Sequence, residues 1–122
     1  MSSPAPDALV ALANLPLIQT VGSVSLNEAK VRAHLTALPE WAYFGRHIER
    51  IYRFDNYDQT IAFVNMIAAI ARATNHHPDL SVHYNRVVVR YSTHDADNGS
   101  GGVTINDLIC AARIDLALRL ST

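Results

Sequence analysis

Three histidines and one proline have the spacing of a proton-transfer site. His76 and His77 are adjacent and come directly before Pro78, and His94 follows after two strand-like segments. Histidine alone has an unperturbed side-chain pKa that lets it accept and release protons near neutral pH. Two strands joined by a tight turn bring the chain back to where it started, so we expect His94 beside the histidine pair. The pattern therefore predicts general acid-base chemistry.

Zinc binding and a purely structural role are the alternatives for these histidines. A zinc site needs three or four converging ligands, often with cysteine among them. Cys110 lies in an apolar helical stretch, and the adjacent His76 and His77 lack the i, i+4 spacing of a helical zinc motif. Each histidine alone is more often a polar loop residue, but the three together with the proline favour a functional site. The sequence therefore predicts a site without metal.

Composition and charge narrow the class of protein. The 122 residues suffice for one domain, and 49% of them are hydrophobic, so the chain should bury a core. The balance of 10 basic against 11 acidic residues predicts no nucleic-acid surface. No apolar run is long enough to span a membrane, and no Lys or Arg precedes Lys30, which argues against a secretory signal. Together with the single cysteine, these features predict a cytoplasmic protein.

The chain divides into an N-terminal extension, residues 1–24, and a body, residues 25–122. The extension begins with a Ser- and Pro-rich stretch that should be frayed, and it holds a short helix over 8–15 that is stopped by Pro16. The body shows regular apolar periodicity, so we expect it to form the domain.

Periodicity in the body predicts the element order α-β-β-α-β-β-α. Ser25 with Glu28, and Thr104 with Asp107, have the pattern of capping boxes that begin the first and last helices. The predicted elements are a helix over 25–38, strands over 41–44 and 47–54, a helix over 55–74, strands over 79–83 and 87–91, and a helix after residue 104. Short connections make each strand pair an antiparallel hairpin. The expected fold is α+β and two-layered, a four-stranded antiparallel sheet with helices packed on one face.

With these residues in place, the chain resembles the pterin-4a-carbinolamine dehydratase family, which includes the dimerisation cofactor of a homeodomain transcription factor. The family signature combines His-His-Pro, an aromatic residue, a third His and an Asp. Here His76-His77-Pro78 is followed by Tyr84 after five residues, by His94 after nine more, and by Asp107 after twelve more. A double His with partners at these spacings is a specific signal, and the resemblance extends over most of the body.

The resemblance implies an enzyme, a 4a-hydroxytetrahydrobiopterin dehydratase. This hydro-lyase removes water from 4a-hydroxytetrahydropterin to give quinonoid dihydropterin, in tetrahydrobiopterin recycling. One neutral imidazole takes the N5 proton while an imidazolium protonates the leaving hydroxyl. No metal and no organic cofactor are implied, because the pterin itself expels the hydroxyl. The implied partners are the pterin substrate, further copies of the chain in a homodimer or homotetramer, and a pterin-dependent hydroxylase, with no nucleic acid and no membrane.

The site residues that the resemblance implies form two groups. The catalytic group is His76, His77 and His94, with His76 and His94 as the acid-base pair and His77 orienting the pterin. Which of the pair is the acid stays open. The substrate-binding group is Trp41, Asn75 and Asp107.

The chain departs from the family pattern around this site. Arg72 stands where the family usually has Glu, Leu80 replaces a frequent Trp, and Asn106 replaces a frequent Arg. The loop over 95–103 is longer than in the family pattern. These departures bear on substrate preference. They also keep open a non-catalytic pterin- or protein-binding module acting as a dimerisation cofactor or transcriptional coactivator, and a structural oligomer with an incidental histidine cluster.

Overall fold

Four helices and a four-stranded sheet are found in residues 8–121, which the computed structural model describes. The helices are α1 (Ala8–Ala13), α2 (Glu28–Leu35), α3 (Tyr57–Thr74) and α4 (Ile105–Leu120). The strands are β1 (Ala42–Tyr43), β2 (Ile48–Arg53), β3 (Asp79–Val82) and β4 (Arg86–Tyr91), and a short 3-10 helix spans Ala96–Gly99. From α2 onward the predicted order is confirmed, and the frayed start predicted for the first residues lies outside the described part. None of the helices in residues 8–121 is long and apolar enough to cross a membrane.

Neighbouring strands of the sheet are antiparallel, in the spatial order β1-β2-β4-β3. At its centre Ile48 of β2 lies opposite Tyr91 of β4, and Tyr52 lies opposite Val87. Side chains alternate between the faces of a strand, so these four residues point to one face, where all of them are buried. The alternation predicted from the sequence is confirmed, and with it the two-layer α+β fold.

The buried face of the sheet is covered by α3 and α4. Buried residues in α3 recur at spacings of three and four, the period of an amphipathic helix: Thr60, Phe63, Ile67 and Ala71. Asn56 begins this helix, because its side-chain oxygen accepts a hydrogen bond from the backbone N–H of Gln59 at 2.9 Å. Most of α4 is buried, since α1, α3 and β4 all contact it. The core therefore lies between these helices and the sheet.

The capping box predicted at Ser25 is wrong. The N-cap of α2 is Asn27, whose side chain accepts a hydrogen bond from the backbone N–H of Lys30 at 2.9 Å. Ser25 instead donates its hydroxyl to Asp97 Oδ2 at 2.6 Å, and its backbone N–H donates to Asp97 Oδ1 at 2.9 Å. Ser and Asn are equally good N-caps, so a partner distant in sequence decided between them.

Residues 17–25, here termed the strap, connect α1 to α2 and run over the chain that follows β4. The side-chain amide of Asn106 holds the strap at Ile18: the Ile18 N–H donates to Oδ1, and Nδ2 donates to the Ile18 carbonyl, both at 2.8 Å. At the other end of the strap, the Asp97 carboxylate binds Ser25. Long-range hydrogen bonds thus seat part of the extension on the body, and the domain boundary at residue 25 stays a prediction.

Candidate functional site

A cleft of about 340 Å³ opens where α3 ends and β4 passes into the following loop. The structure brings His76, His77 and His94 to this cleft. Thr20 of the strap and Asp95 also line it. Within residues 8–121, no group of three or more His, Cys, Asp or Glu side chains is placed to hold a metal ion. The cleft therefore offers three imidazoles to one small molecule.

A sharp reversal of the chain at the end of α3 positions the histidine pair. Asn75 ends the helix in the left-handed conformation (φ 50°, ψ 38°), which asparagine tolerates better than most residues. Pro78 then keeps His77 out of the helical region. His76 turns inwards with 12% of its side chain exposed, whereas His77 is exposed. The two adjacent histidines therefore have different environments.

The ring of His76 binds a buried carboxylate. His76 Nε2 lies 2.7 Å from Asp107 Oδ1, and Asp107 has no exposed surface. The other oxygen, Oδ2, accepts hydrogen bonds from the Thr93 hydroxyl at 2.8 Å and from the Thr104 backbone N–H at 2.9 Å. A carboxylate only accepts hydrogen bonds, so His76 carries a proton on Nε2. Nδ1 is therefore the ring nitrogen that can accept a proton.

Asp107 lies behind His76 and does not line the cleft. The capping box predicted from Thr104 and Asp107 is confirmed, so this carboxylate also begins α4. The Tyr91 ring supports His76 from another side, nearly parallel to it at 3° with ring centroids 5.7 Å apart. A substrate in the cleft would reach Asp107 only through His76, and the substrate-binding role implied for Asp107 stays a prediction.

Trp41 lies in the core, and the structure does not bring it to the cleft. Its indole N–H donates to Asp115 Oδ2 at 2.9 Å, and its ring centroid is 6.3 Å from that of Tyr91. Asp115 also accepts a hydrogen bond from the Tyr52 hydroxyl, and Arg50 Nη1 lies 3.1 Å from its Oδ1. Burial raises the pKa of the Asp115 carboxyl above its usual range, although these donors act in the opposite direction. A contact between Trp41 and a pterin stays a prediction.

Sequence reasoning did not assign three threonines to the site, although it predicted Thr104 as the N-cap of the last helix. Thr93 is buried and donates to Asp107, and Thr104 Oγ1 lies 2.7 Å from Thr93 Oγ1. Because the one hydroxyl proton of Thr93 goes to Asp107, Thr104 donates to Thr93. The position of Thr93 directly before His94 was the available signal. Thr20 gave none, since only the tertiary structure brings it to the cleft.

The remaining signature residue and two of the departures lie outside the cleft. Tyr84 is exposed in the turn between β3 and β4, where its ring stacks on Tyr57 at 6.0 Å. Arg72 is exposed on α3, and Leu80 is half-buried against the core. None of these residues lines the cleft of the histidines. Asn106, the third departure, holds the strap.

Comparison with known proteins matches most of the chain to one family. The family profile described as pterin 4 alpha carbinolamine dehydratase matches residues 24–117. A provisionally named pterin-4-alpha-carbinolamine dehydratase of Chromobacterium violaceum is 49% identical over 98 residues, covering 80% of this chain and 87% of that protein. Another of Bdellovibrio bacteriovorus, also provisionally named, is 48% identical over 91 residues, covering 75% and 76%. The crystal structure of a transcriptional coactivator/pterin dehydratase from Brucella melitensis is 30% identical with a TM-score of 0.69, covering 75% of this chain and 96% of that one.

Proposed function

This chain belongs to the pterin 4 alpha carbinolamine dehydratase family, and we propose that it dehydrates 4a-hydroxytetrahydropterin to quinonoid dihydropterin in tetrahydropterin recycling. The observation that carries the proposal is the His76–Asp107 pair in a cleft that also holds His77 and His94. One imidazole is held in a single tautomer there, and two more lie in the same small cavity. A reaction that removes one proton and supplies another needs such a set of groups.

In the proposed mechanism, His76 is the general base. Asp107 holds the proton of His76 Nε2, so the Nδ1 lone pair takes the proton from N5 of the pterin. The buried carboxylate then stabilises the imidazolium that forms. The electron pair released at N5 forms the double bond to C4a, and the C4a–oxygen bond breaks.

His94 is the general acid of the same step. It is exposed where the chain returns from β4, and it lines the cleft with His76. As an imidazolium, it donates a proton to the departing hydroxyl, which leaves as water. Exchange of protons with solvent returns both histidines to their starting states. His77 orients the pterin between them.

Of the three substrate-binding residues, Asn75 lines the cleft, whereas Asp107 and Trp41 do not. Asn75 lines the cleft, so its side-chain amide can hydrogen-bond the heterocycle directly. Asp107 acts through His76, and Trp41 acts through Tyr91, whose ring stacks on His76. In this proposal Asp107 and Trp41 position the site, and direct contact of either residue with the pterin stays a prediction.

The reaction that we place before this one follows from the substrate. A pterin-dependent hydroxylase produces the carbinolamine, so we place such an enzyme immediately before this one. We further propose a cytoplasmic protein that acts as a homodimer or homotetramer, as the resemblance implies. None of these points enters the mechanism, which uses the residues of one chain.

Substitution of the two proton-transfer histidines tests the proposal. His76→Ala and His94→Ala should each lower the enzymatic rate on freshly generated carbinolamine by roughly 10²- to 10⁴-fold, the usual contribution of an acid-base group. His83→Ala is the matched control, because His83 is exposed and bonds Ser81 in the β3–β4 hairpin. An unchanged rate in the variant that lacks both His76 and His94 would sink the assignment.

A binding module without turnover is the second candidate. The name of the Brucella melitensis relative joins a transcriptional coactivator to a pterin dehydratase, which favours keeping this alternative. Calorimetric binding of a dihydropterin, with the carbinolamine dehydrating no faster than spontaneously, would support it over the enzyme. Retention of a protein partner by the chain without any pterin turnover would favour the binding module.

A further inference from the structure

The ring of Tyr91 is the second group that restrains His76 from inside the protein. It lies nearly parallel to the imidazole, at 3°, with the ring centroids 5.7 Å apart. Planar rings at this separation form an offset stack. Asp107 Oδ1, in contrast, meets the edge of the imidazole at Nε2, at 2.7 Å. His76 is therefore restrained by one group at its edge and by another at its face.

These two restraints fix different movements of the imidazole. The Cβ atom and the hydrogen bond at Nε2 hold the ring at two points, and the ring can still turn about the line between them. Such a turn leaves Nε2 in place but swings Nδ1, the nitrogen that takes the proton in the proposed mechanism. A flat neighbour opposes the turn, because a tilted imidazole would collide with it on one side and lose contact on the other. The face of Tyr91 therefore determines where Nδ1 points.

The surroundings of Tyr91 hold its ring rigidly. It is the last residue of β4, lies opposite Ile48 of β2 and has no exposed surface. The ring of Trp41 packs on it with the centroids 6.3 Å apart. A side chain enclosed in this way keeps one conformation, and a precisely aimed group needs such a support.

The hydroxyl group of Tyr91 has no part in this role. It is buried without a partner at hydrogen-bonding geometry in residues 8–121, and the weakly polar thiol of Cys110 is its neighbour. Burial raises the pKa of this hydroxyl above its usual value, so it stays protonated wherever a histidine can act. An unpaired buried hydroxyl costs free energy, which indicates that the side chain is present for another of its properties. Here that property is the face of the ring.

The stretch of chain that carries Tyr91 also carries the proposed general acid. Two residues beyond Tyr91, the buried Thr93 donates to Asp107 Oδ2 at 2.8 Å, and the next residue, His94, lines the cleft. The backbone of Thr93 exchanges hydrogen bonds with Gly102 at 2.8 Å and 3.2 Å, which holds this stretch in place. The plane of the base is thus set by the same stretch that presents the acid.

We propose that Tyr91 is a positioning residue whose ring sets the plane of His76, so that Nδ1 points at the proton it takes. The inference rests on the proposed dehydratase function and deepens it by adding a residue that does not line the cleft. Asp107 selects the tautomer of His76, and Tyr91 directs the nitrogen that this tautomer leaves free. The two contributions are separable, because a substitution of Tyr91 leaves Asp107 available to Nε2.

Substitutions that separate the ring face from the hydroxyl test this role. Tyr91→Leu removes the flat face, so kcat on freshly generated carbinolamine should fall roughly 10- to 100-fold, the effect of a misaligned group, with a smaller change in KM. Tyr91→Phe keeps the face and should retain the kcat of the unsubstituted chain. Phe63→Leu is the matched control, because Phe63 is a buried aromatic residue whose ring packs on Tyr52 and Phe54 rather than on His76.

Nitrogen NMR of His76 supplies a measurement that does not depend on turnover. In Tyr91→Leu, Nε2 should keep its proton, since Asp107 still accepts it, so that the loss of kcat comes from the direction of Nδ1 and not from the tautomer. Loss of this proton in Tyr91→Leu would overturn the role, because Tyr91 would then act through the tautomer. Thermal denaturation checks that each variant is folded. Tyr91→Met, which fills irregular core space, replaces Tyr91→Leu if the latter does not fold.

The kinetic outcomes distinguish the role of Tyr91 from the proposed function. An unchanged kcat in Tyr91→Leu overturns the role of Tyr91 and leaves the dehydratase function standing. An equal loss of kcat in Tyr91→Phe or in Phe63→Leu has the same consequence, because the hydroxyl or general loosening of the core would then explain it. Failure of the unsubstituted chain to dehydrate the carbinolamine overturns both.

Discussion

His76 Nε2 lies 2.7 Å from Asp107 Oδ1, and Asp107 has no exposed surface. The second oxygen of the same carboxylate binds the backbone N–H of Thr104, where α4 begins. One side chain thus fixes both the orientation of the inward-facing histidine and the start of the helix that packs behind it. In the proposed mechanism, proton transfer at the cleft therefore depends on Asp107, a residue that does not line it.

Asp107→Asn should abolish the base while preserving the helix start. The amide oxygen of Asn can still accept from Thr93 and Thr104, which leaves its NH₂ group facing His76. His76 would then accept at Nε2 and carry its proton on Nδ1, the wrong tautomer for taking a proton from N5. We expect kcat to fall roughly 10²- to 10⁴-fold, with a smaller change in KM. Steady-state kinetics over a range of pH measure both quantities.

Asp58→Asn is the control for this prediction, because Asp58 is an exposed aspartate in the first turn of α3. Circular dichroism and thermal denaturation establish that both variants are folded. A kcat for Asp107→Asn close to that of the unsubstituted chain would contradict the role of the carboxylate.

Asp115→Ala should be strongly destabilising. The substitution leaves the Trp41 indole N–H and the Tyr52 hydroxyl without their acceptor, and Arg50 without its carboxylate. Donors left unsatisfied in a core, together with an unpaired cation, should lower the free energy of unfolding by about 3 kcal/mol. Denaturation in urea measures the loss. A value within error of the unsubstituted protein would show that the cluster adds nothing to stability.

The free energy of unfolding should depend on pH through the ionisation of Asp115. Burial raises the pKa of this carboxyl, so the folded chain holds the proton more tightly than the unfolded chain does. This tighter binding of the proton by Asp115 contributes its whole stabilising free energy below the unfolded pKa of about 3.9. The contribution is lost as the pH rises through the raised pKa of the folded state. Asp115→Asn cannot titrate. The stability of the unsubstituted protein minus that of Asp115→Asn should therefore decrease as the pH rises above about 4, and an increase would contradict the direction.

Local patterns in the sequence predicted most of the secondary structure and some of the helix caps. The period of α3, its start at Asn56 and the alternation of β2 and β4 follow from neighbouring residues and are confirmed. The choice between Ser25 and Asn27 as N-cap does not, because both are suitable and only Asp97 distinguishes them. Local patterns do not predict which of two equally suitable residues caps a helix when a contact distant in sequence distinguishes them.

The candidate site was also predicted only in part from the sequence. Hairpin spacing predicted that His94 returns beside His76, and capping chemistry predicted that Asp107 begins α4. The contact between His76 and Asp107 depends on how the start of α4 packs against the end of α3, which no local pattern contains. The same applies to Thr20, which is held at the cleft by the attachments of the strap to Asn106 and Asp97.

Cys110 should resist thiol reagents in the folded protein. It is wholly buried, and burial raises the pKa of its thiol to about 11. The thiolate is the reactive form, so at pH 8 it should be present at roughly 100-fold lower abundance than for an exposed cysteine, besides being shielded. Labelling by a chromogenic disulfide should be slow under native conditions and complete within minutes in denaturant. Equal rates in the two conditions would contradict the burial of Cys110.

Gly102→Ala should displace the strap. A Cβ atom at position 102 would lie 2.6 Å from the Ser25 Cβ, closer than such atoms approach. Gly102 cannot move away easily, because its backbone exchanges two hydrogen bonds with Thr93 at 2.8 Å and 3.2 Å. Ser25 must therefore move and strain its bonds to Asp97, which should lower the free energy of unfolding by about 1 to 3 kcal/mol. Urea denaturation measures the loss, and limited proteolysis reports the release of residues 17–25.

A double-mutant cycle with Ser25→Gly separates this clash from other effects of the alanine. Removal of the Ser25 Cβ gives the new methyl group room, so Gly102→Ala should cost much less in the Ser25→Gly background than in the unsubstituted chain. Ser25→Gly alone measures the loss of the hydroxyl bond to Asp97, which the cycle subtracts. If the losses in free energy of unfolding of the two single variants add in the double variant, the alanine does not act through a clash with Ser25. The close approach of Gly102 to Ser25 would then not explain the displacement of the strap.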